Sequence, residues 1–141
     1  MNKNLLVYQM DTYLMKSTLI FAGVLALIDQ IWVQGAKAMH IQTVESVQKS
    51  SMIVDKKAAV AFYLIAGLAY TLLVTRLAGN DLKETAKYGA ILGAAMYFTF
   101  DLTNKAIFKD YTWEYAIKDG IWGVAVVSLA AVITTKLLNK L

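Results

Sequence analysis

The chain has 141 residues, 58% of them hydrophobic and 17% charged, with a mean hydropathy of +0.51. That length suits one domain, and a soluble domain this small exposes too much surface to cover with so little charge. The absence of cysteine excludes disulfides, thiolate metal sites and thiol nucleophiles, and the single histidine, His40, excludes a histidine metal cluster within one chain.

The net charge of +4 places Lys and Arg in loops and at helix ends, where anionic headgroups account for them better than nucleic acid does. An integral membrane protein is the natural reading, with the lipid bilayer as its surroundings. A span needs about 20 apolar residues and must satisfy its own backbone, so each span is a helix.

The first candidate span covers about 12–33. It reads as a retained span rather than a signal peptide, because Met1–Met10 is too short to be a complete one and no convincing small-x-small cleavage site follows. The next stretch, Gln34–Lys57, is longer than a turn. Ile41, Val44 and Val47 recur there at helical spacing among polar residues, which predicts a short interfacial amphipathic helix. His40 reads as an interfacial surface residue. The second span covers about 58–78, the third about 85–104 and the fourth about 115–138. Turn-sized connections at Asn80–Glu84 and Ile107–Glu114 favour antiparallel neighbours. In the third span Ala86, Ala90 and Ala94 recur every four residues beside Gly89 and Gly93. Small residues let helices approach closely in lipid, so this helix is expected at the centre.

The expected fold is therefore all-α: a single four-span domain forming a four-helix transmembrane bundle, multi-pass, with both termini on one side. Threading the spans divides the 14 Lys and Arg residues evenly between the two sides, so charge gives no orientation. The type of membrane, a bacterial inner membrane or a viral or host one, is left open.

The same threading puts Asp29, Asp101 and Asp119 at one membrane level, with Tyr63, Phe62, Trp32, Trp113 and Trp122 around them. The opposite end is expected to hold nothing comparable. An intramembrane carboxylate is costly and is a functional-site signal by default. Each acid has an ordinary explanation beside a functional one. Asp101, with Asn104, forms a polar site for a cation, or it pairs with Lys105 at i,i+4. Asp119 is a ligand group, or it lies near the helix start, where the dipole favours an anion. Asp29 lies near a helix end, where the dipole opposes it, so it needs a partner such as Lys118 or Lys105, or a function.

"IDQIW" in the first span is echoed by "KDGIW" in the fourth, each with Asp three residues before Trp. The two pairs are expected to wall one site. Trp113 fits an interfacial aromatic belt. Trp32 and Trp122 fit it less well, and their faces are candidates to hold an organic cation between them.

"IDQIW", "AFYL", "GAILGAAMYFTFDLTNKA", Trp113 and "KDGIWG", in that order, carry a resemblance. The chain resembles the predicted membrane protein family catalogued as domain of unknown function 2177, known from bacteria and large DNA viruses. Its loop after the first span is more polar, and the family's usual proline after the tryptophan is missing at Thr112–Tyr115. The resemblance implies a four-helix membrane fold and supplies no activity.

Two functions follow as expectations. One is binding or passage of a small cation or amine at a cavity made by Asp29, Asp101, Asp119, Asn104, Trp32, Trp122 and Tyr63. The other is a structural or assembly role in a bacterial or viral membrane, with the acids holding the helices together. Either suits a homo-oligomer or a membrane protein assembly. A membrane enzyme is a third, less favoured reading: paired carboxylates can do acid–base chemistry, but no nucleophile-and-base pair, metal set or cofactor motif accompanies them.

Overall fold

The computed structural model describes residues 3–141, with side chains from residue 8 onward. The start of the Met1–Met10 stretch lies outside the described residues. The described chain is helical, with no strand among its elements.

Helix α1 runs from Lys3 to Gly35, α2 from Lys37 to Gln48, α3 from Lys56 to Ala78, α4 from Leu82 to Ile107 and α5 from Trp113 to Leu138. The four expected spans fall inside α1, α3, α4 and α5; α1 and α4 extend past both expected limits, and α3 and α5 start earlier and end at them. Three of them, α1, α3 and α5, are long and apolar enough to cross a membrane. Helix α4 has the length, but Lys83, Glu84, Lys87, Asp101 and Lys105 make it more polar.

Side chains fix the helix starts. Asp55 caps α3 by accepting the backbone N–H groups of Lys57 and Ala58 at 2.8 and 3.2 Å. Asp81 does the same for α4 with Lys83 and Glu84, and Thr112 accepts the N–H of Tyr115 at the start of α5. Gly79, with φ +58°, turns the chain sharply between α3 and α4, a conformation glycine adopts without strain.

Helix α3 contains a π-helical turn at Tyr70–Val74. Its residues are used on both sides. Tyr70 stacks on Phe21 of α1, with ring centroids 4.4 Å apart, and its hydroxyl lies 2.7 Å from Thr135 Oγ1 of α5. Thr71 Oγ1 lies 2.9 Å from Ser17 Oγ and 3.0 Å from the Gly67 carbonyl. Away from the acids the molecule thus holds a buried hydroxyl cluster, which sequence reasoning did not single out. Its Ser and Thr residues pass unnoticed in an apolar run because such hydroxyls can also bond within their own helix, as Thr71 does to the Gly67 carbonyl.

Backbones meet closely at glycines. A Cβ on Gly67 would lie 2.3 Å from the Thr18 carbonyl oxygen, and one on Gly93 would lie 2.2 Å from that of Gly123. Helices α1 and α3, and α4 and α5, therefore pack backbone to backbone. The Gly89–Gly93 seam of α4 faces α5 alone. Helix α5, with Ala116, Gly120, Gly123, Val127 and Ala130 all buried, is the central element, packed on both α1 and α4 and bonded to α3. The expectation that α4 is central is thereby corrected: Ala86, Ala90 and Ala94 are half-buried beside its single seam.

The core joins Phe21 and Leu25 to Ala66, Tyr70, Tyr97, Val126 and Ala130. Outward-facing apolar residues such as Leu27, Ile31, Ile65, Leu73 and Ile121 are exposed along the long helices, as a lipid-facing surface requires.

Helix α2 covers one end. Met39 and Val47 pack on Tyr111, Tyr115 and Ala116. Thr43 is its most buried residue, while Ile41, Val44 and Val47 are half-buried. The apolar stripe thus packs partly on protein. Lys49 Nζ, 2.7 Å from Asp110 Oδ2, pins the C-terminal end of α2 and holds the Asp110 carboxyl below the usual carboxylate range by hydrogen bonding and charge.

Close packing at Gly93 gives one substitution opposite signs at two places. Gly93→Ala lowers stability by about 1–3 kcal/mol through overpacking. Gly23→Ala, where a Cβ meets nothing within 4 Å, leaves stability unchanged or raises it by up to about 1 kcal/mol. Thermal unfolding in detergent checks both.

Candidate functional site

The site lies where α1, α3, α4 and α5 meet beneath α2. Asp29, Asp101 and Asp119 are all buried there. Each finds neutral donors. Asp29 Oδ1 accepts the Trp122 indole N–H at 2.7 Å and the Tyr97 hydroxyl at 3.3 Å, while Oδ2 accepts the Tyr63 hydroxyl at 2.9 Å. One carboxylate on α1 is therefore bonded to α3, α4 and α5. Asp119 Oδ1 accepts the Trp32 indole N–H at 2.5 Å. Asp101 accepts the Tyr111 hydroxyl at 2.5 Å.

The two Asp-x-x-Trp segments pair crosswise. Helix α1 offers Asp29 to Trp122 and Trp32 to Asp119; helix α5 offers the reverse. Antiparallel helices in register give this reciprocity, because a three-residue step up one helix matches a three-residue step down the other. Trp32 and Trp122 stack on each other with centroids 5.8 Å apart and planes 15° from parallel. That closes the space between their faces, so no cation fits there. The expected sandwich is corrected, as are the expected opposite walls: the two pairs interlock.

The ion pairs weighed from sequence are absent as well. Among the described residues, the salt bridges are Lys49–Asp110, Lys87–Glu84 and Lys118–Glu114. Lys118 is taken by Glu114 at i,i+4, and Lys105 does not reach Asp101. Among the described residues the three buried acids have no Lys or Arg partner.

Asp29, Asp119, Trp32, Tyr63, Tyr97 and His40 line a cavity of about 310 Å³ to which every helix contributes. Phe62 packs edge-on to Tyr63 and Tyr97 at its wall. Asp101 lies behind, against the Asp119 carboxyl. Its Oδ2 is buried without a hydrogen-bond partner. Trp122 does not line the cavity but bonds its acid. Asn104 does not line it either, and its carbonyl accepts the Phe108 N–H at the end of α4. Trp113 is well exposed, as a belt residue is.

His40 is not a surface residue. Its ring packs edge-on against Trp32 and Tyr115, Nδ1 lies 2.7 Å from the Tyr115 hydroxyl, and Nε2 is buried without a partner. Sequence reasoning missed it because α2 folds back over the site, which no local pattern announces. Tyr97 and Tyr115 did carry a signal: each precedes a buried Asp by four residues and so shares its helix face. Burial and the Asp101 hydrogen bond push the Tyr111 hydroxyl well above the usual tyrosine range, so it stays a neutral donor. No three His, Asp or Glu side chains among the described residues converge as a metal set.

The number of donors per acid orders two substitutions. Tyr111→Phe leaves Asp101 with no protein donor and costs about 1–3 kcal/mol. Tyr63→Phe leaves Asp29 with two donors and costs about 1 kcal/mol or less. Unfolding in detergent at fixed pH measures the difference.

No curated protein and no solved structure matches the chain. The sequence profile of one family of predicted membrane proteins matches residues 14–136, nearly its whole length. The chain belongs to that family, domain of unknown function 2177.

Proposed function

We propose that this is a four-span membrane protein that takes a small organic cation in the cavity beneath α2. The single domain then comprises α1, α3, α4 and α5 as spans, with both termini on one side and the acids near the other. The outward-facing Ile91 and Phe100 of α4 support its reading as the fourth span. Its charged residues lie near its two ends, apart from Asp101, which is buried.

The observation that carries the function is a pair of buried carboxylates, Asp29 and Asp119, on one aromatic-walled cavity that no Lys or Arg among the described residues lines. Carboxylates draw a positive charge, and the faces of Tyr63, Phe62 and Tyr97 favour an alkylated ammonium over a hydrated metal ion. A volume of about 310 Å³ suits a ligand of a few heavy atoms. Asp101 and Trp122 act through Asp119 and Asp29 rather than by touching the ligand.

A second reading has its own observation. The three donors on Asp29 satisfy it without any ligand, which suits a structural part in a membrane assembly. The two readings differ at Asp119, which has a single protein donor.

Choline and its uncharged carbon isostere, 3,3-dimethylbutanol, separate the readings. Choline is expected to raise the thermal midpoint of the detergent-solubilised protein, the isostere to leave it unchanged, and Asp119→Asn to remove the choline shift while the variant stays folded. Equal shifts from both compounds, or no shift from choline, overturn ligand binding and leave the structural reading.

A further inference from the structure

Two grooves on the outside of the molecule share Ala38 and Met39 of α2 as lining residues. The first, of about 910 Å³, is polar. It lies between α2 and the Phe108–Thr112 connection, and Lys49, Lys105, Lys109, Asp110 and Glu114 line it. The second, of about 640 Å³, is largely apolar and runs over Trp32, Trp122, Ile121 and Ala125, with Lys118 at its rim.

The charges in the polar groove are not all neutralised. Lys49 pairs with Asp110, and Lys118 with Glu114. Among the described residues, Lys105 and Lys109 form no salt bridge. Two ammonium groups thus sit at the end of α4, where the helix terminates. The apolar groove follows α5 inward. Ile121 and Ala125 lie about 12 and 18 Å along the helix from Trp113, at a rise of about 1.5 Å per residue.

A charged groove at the helix ends, adjoining an apolar one directed along a span, has the two-part chemistry of a lipid. We propose that an anionic phospholipid seats here, its phosphate at Lys105 and Lys109 and one acyl chain along Trp32, Ile121, Trp122 and Ala125. Basic residues at a membrane surface attract anionic lipid by about fivefold each at low salt. The groove adds a fixed path for the chain, which separates a seated lipid from a diffuse annulus. Trp32 and Trp122 line the groove, while their N–H groups are occupied by Asp119 and Asp29. The lipid would therefore press on the same stacked pair that holds α1 to α5. This inference does not depend on the organic-cation reading of the inner cavity.

The test uses the full chain carrying Trp113→Phe, so that Trp32 and Trp122 are its tryptophans, in bilayers doped with lipid brominated on one acyl chain. Brominated phosphatidylglycerol is expected to quench their fluorescence more than brominated phosphatidylcholine at equal mole fraction. Lys105→Gln with Lys109→Gln is expected to bring the two lipids level without changing the phosphatidylcholine signal, which reports an intact groove. Lys56→Gln with Lys57→Gln, outside the groove, is expected to keep the preference. Equal quenching before any lysine is changed overturns the proposal. So does a preference that survives loss of Lys105 and Lys109, or one that falls equally when Lys56 and Lys57 are changed.

Discussion

A carboxylate taken out of water needs donors, and the structure is organised around how Asp29 obtains them. An acid at the bilayer centre costs about 2.5–3.5 kcal/mol on insertion scales, and less toward the end of a span, where Asp29 lies. Hydrogen bonds to a charged group contribute about 1.5–3 kcal/mol each. Asp29 collects three, from Tyr63, Tyr97 and Trp122, so docking of α3, α4 and α5 offsets the cost of burying it. Apolar packing in lipid has no strong direction, because a lipid tail is as greasy as a leucine. A polar hub supplies the direction that packing alone lacks.

The crosswise bonds and the glycine seams act together. Close approach of α4 to α5 at Gly93 and Gly123 brings Tyr97 against α5 and within reach of Asp29. The Trp32–Trp122 stack fixes the level at which α1 meets α5. Helix α2 then folds over that end, placing His40 beside Trp32 and Tyr115. The result is a small cavity whose walls are held from outside by the same bonds that join the helices. A rigid acidic pocket and a stable helix assembly are, in this arrangement, one set of interactions seen from two sides.

Much of this was legible in the sequence. Runs of apolar residues located the long helices, and the caps at Asp55, Asp81 and Thr112 lay within a few residues of the expected limits. Threading alone brought Asp29, Asp101 and Asp119 to one level, because level depends on helix length and direction. Their partners were not legible, because partners depend on rotation about each helix axis. The i,i+4 spacing favoured Lys105 for Asp101, yet Tyr111 in the following connection is the donor. The repeated Asp-x-x-Trp was visible, but its crosswise pairing needs the antiparallel register of α1 against α5. His40 was hidden by the fold-back of α2, and the hydroxyl cluster around Thr71 by the apolar run that contains it.

The crosswise pairing is tested most directly by the indole N–H resonances of the three tryptophans in a nitrogen-15 spectrum of the detergent-solubilised protein. Two of them, from Trp32 and Trp122, should lie downfield as donors to carboxylates, with exposed Trp113 at an ordinary position. Asp29→Ala should move the Trp122 resonance upfield, and Asp119→Ala the Trp32 resonance. If each acid instead moves the tryptophan three residues along its own helix, or moves neither, the α1–α5 register described here is wrong.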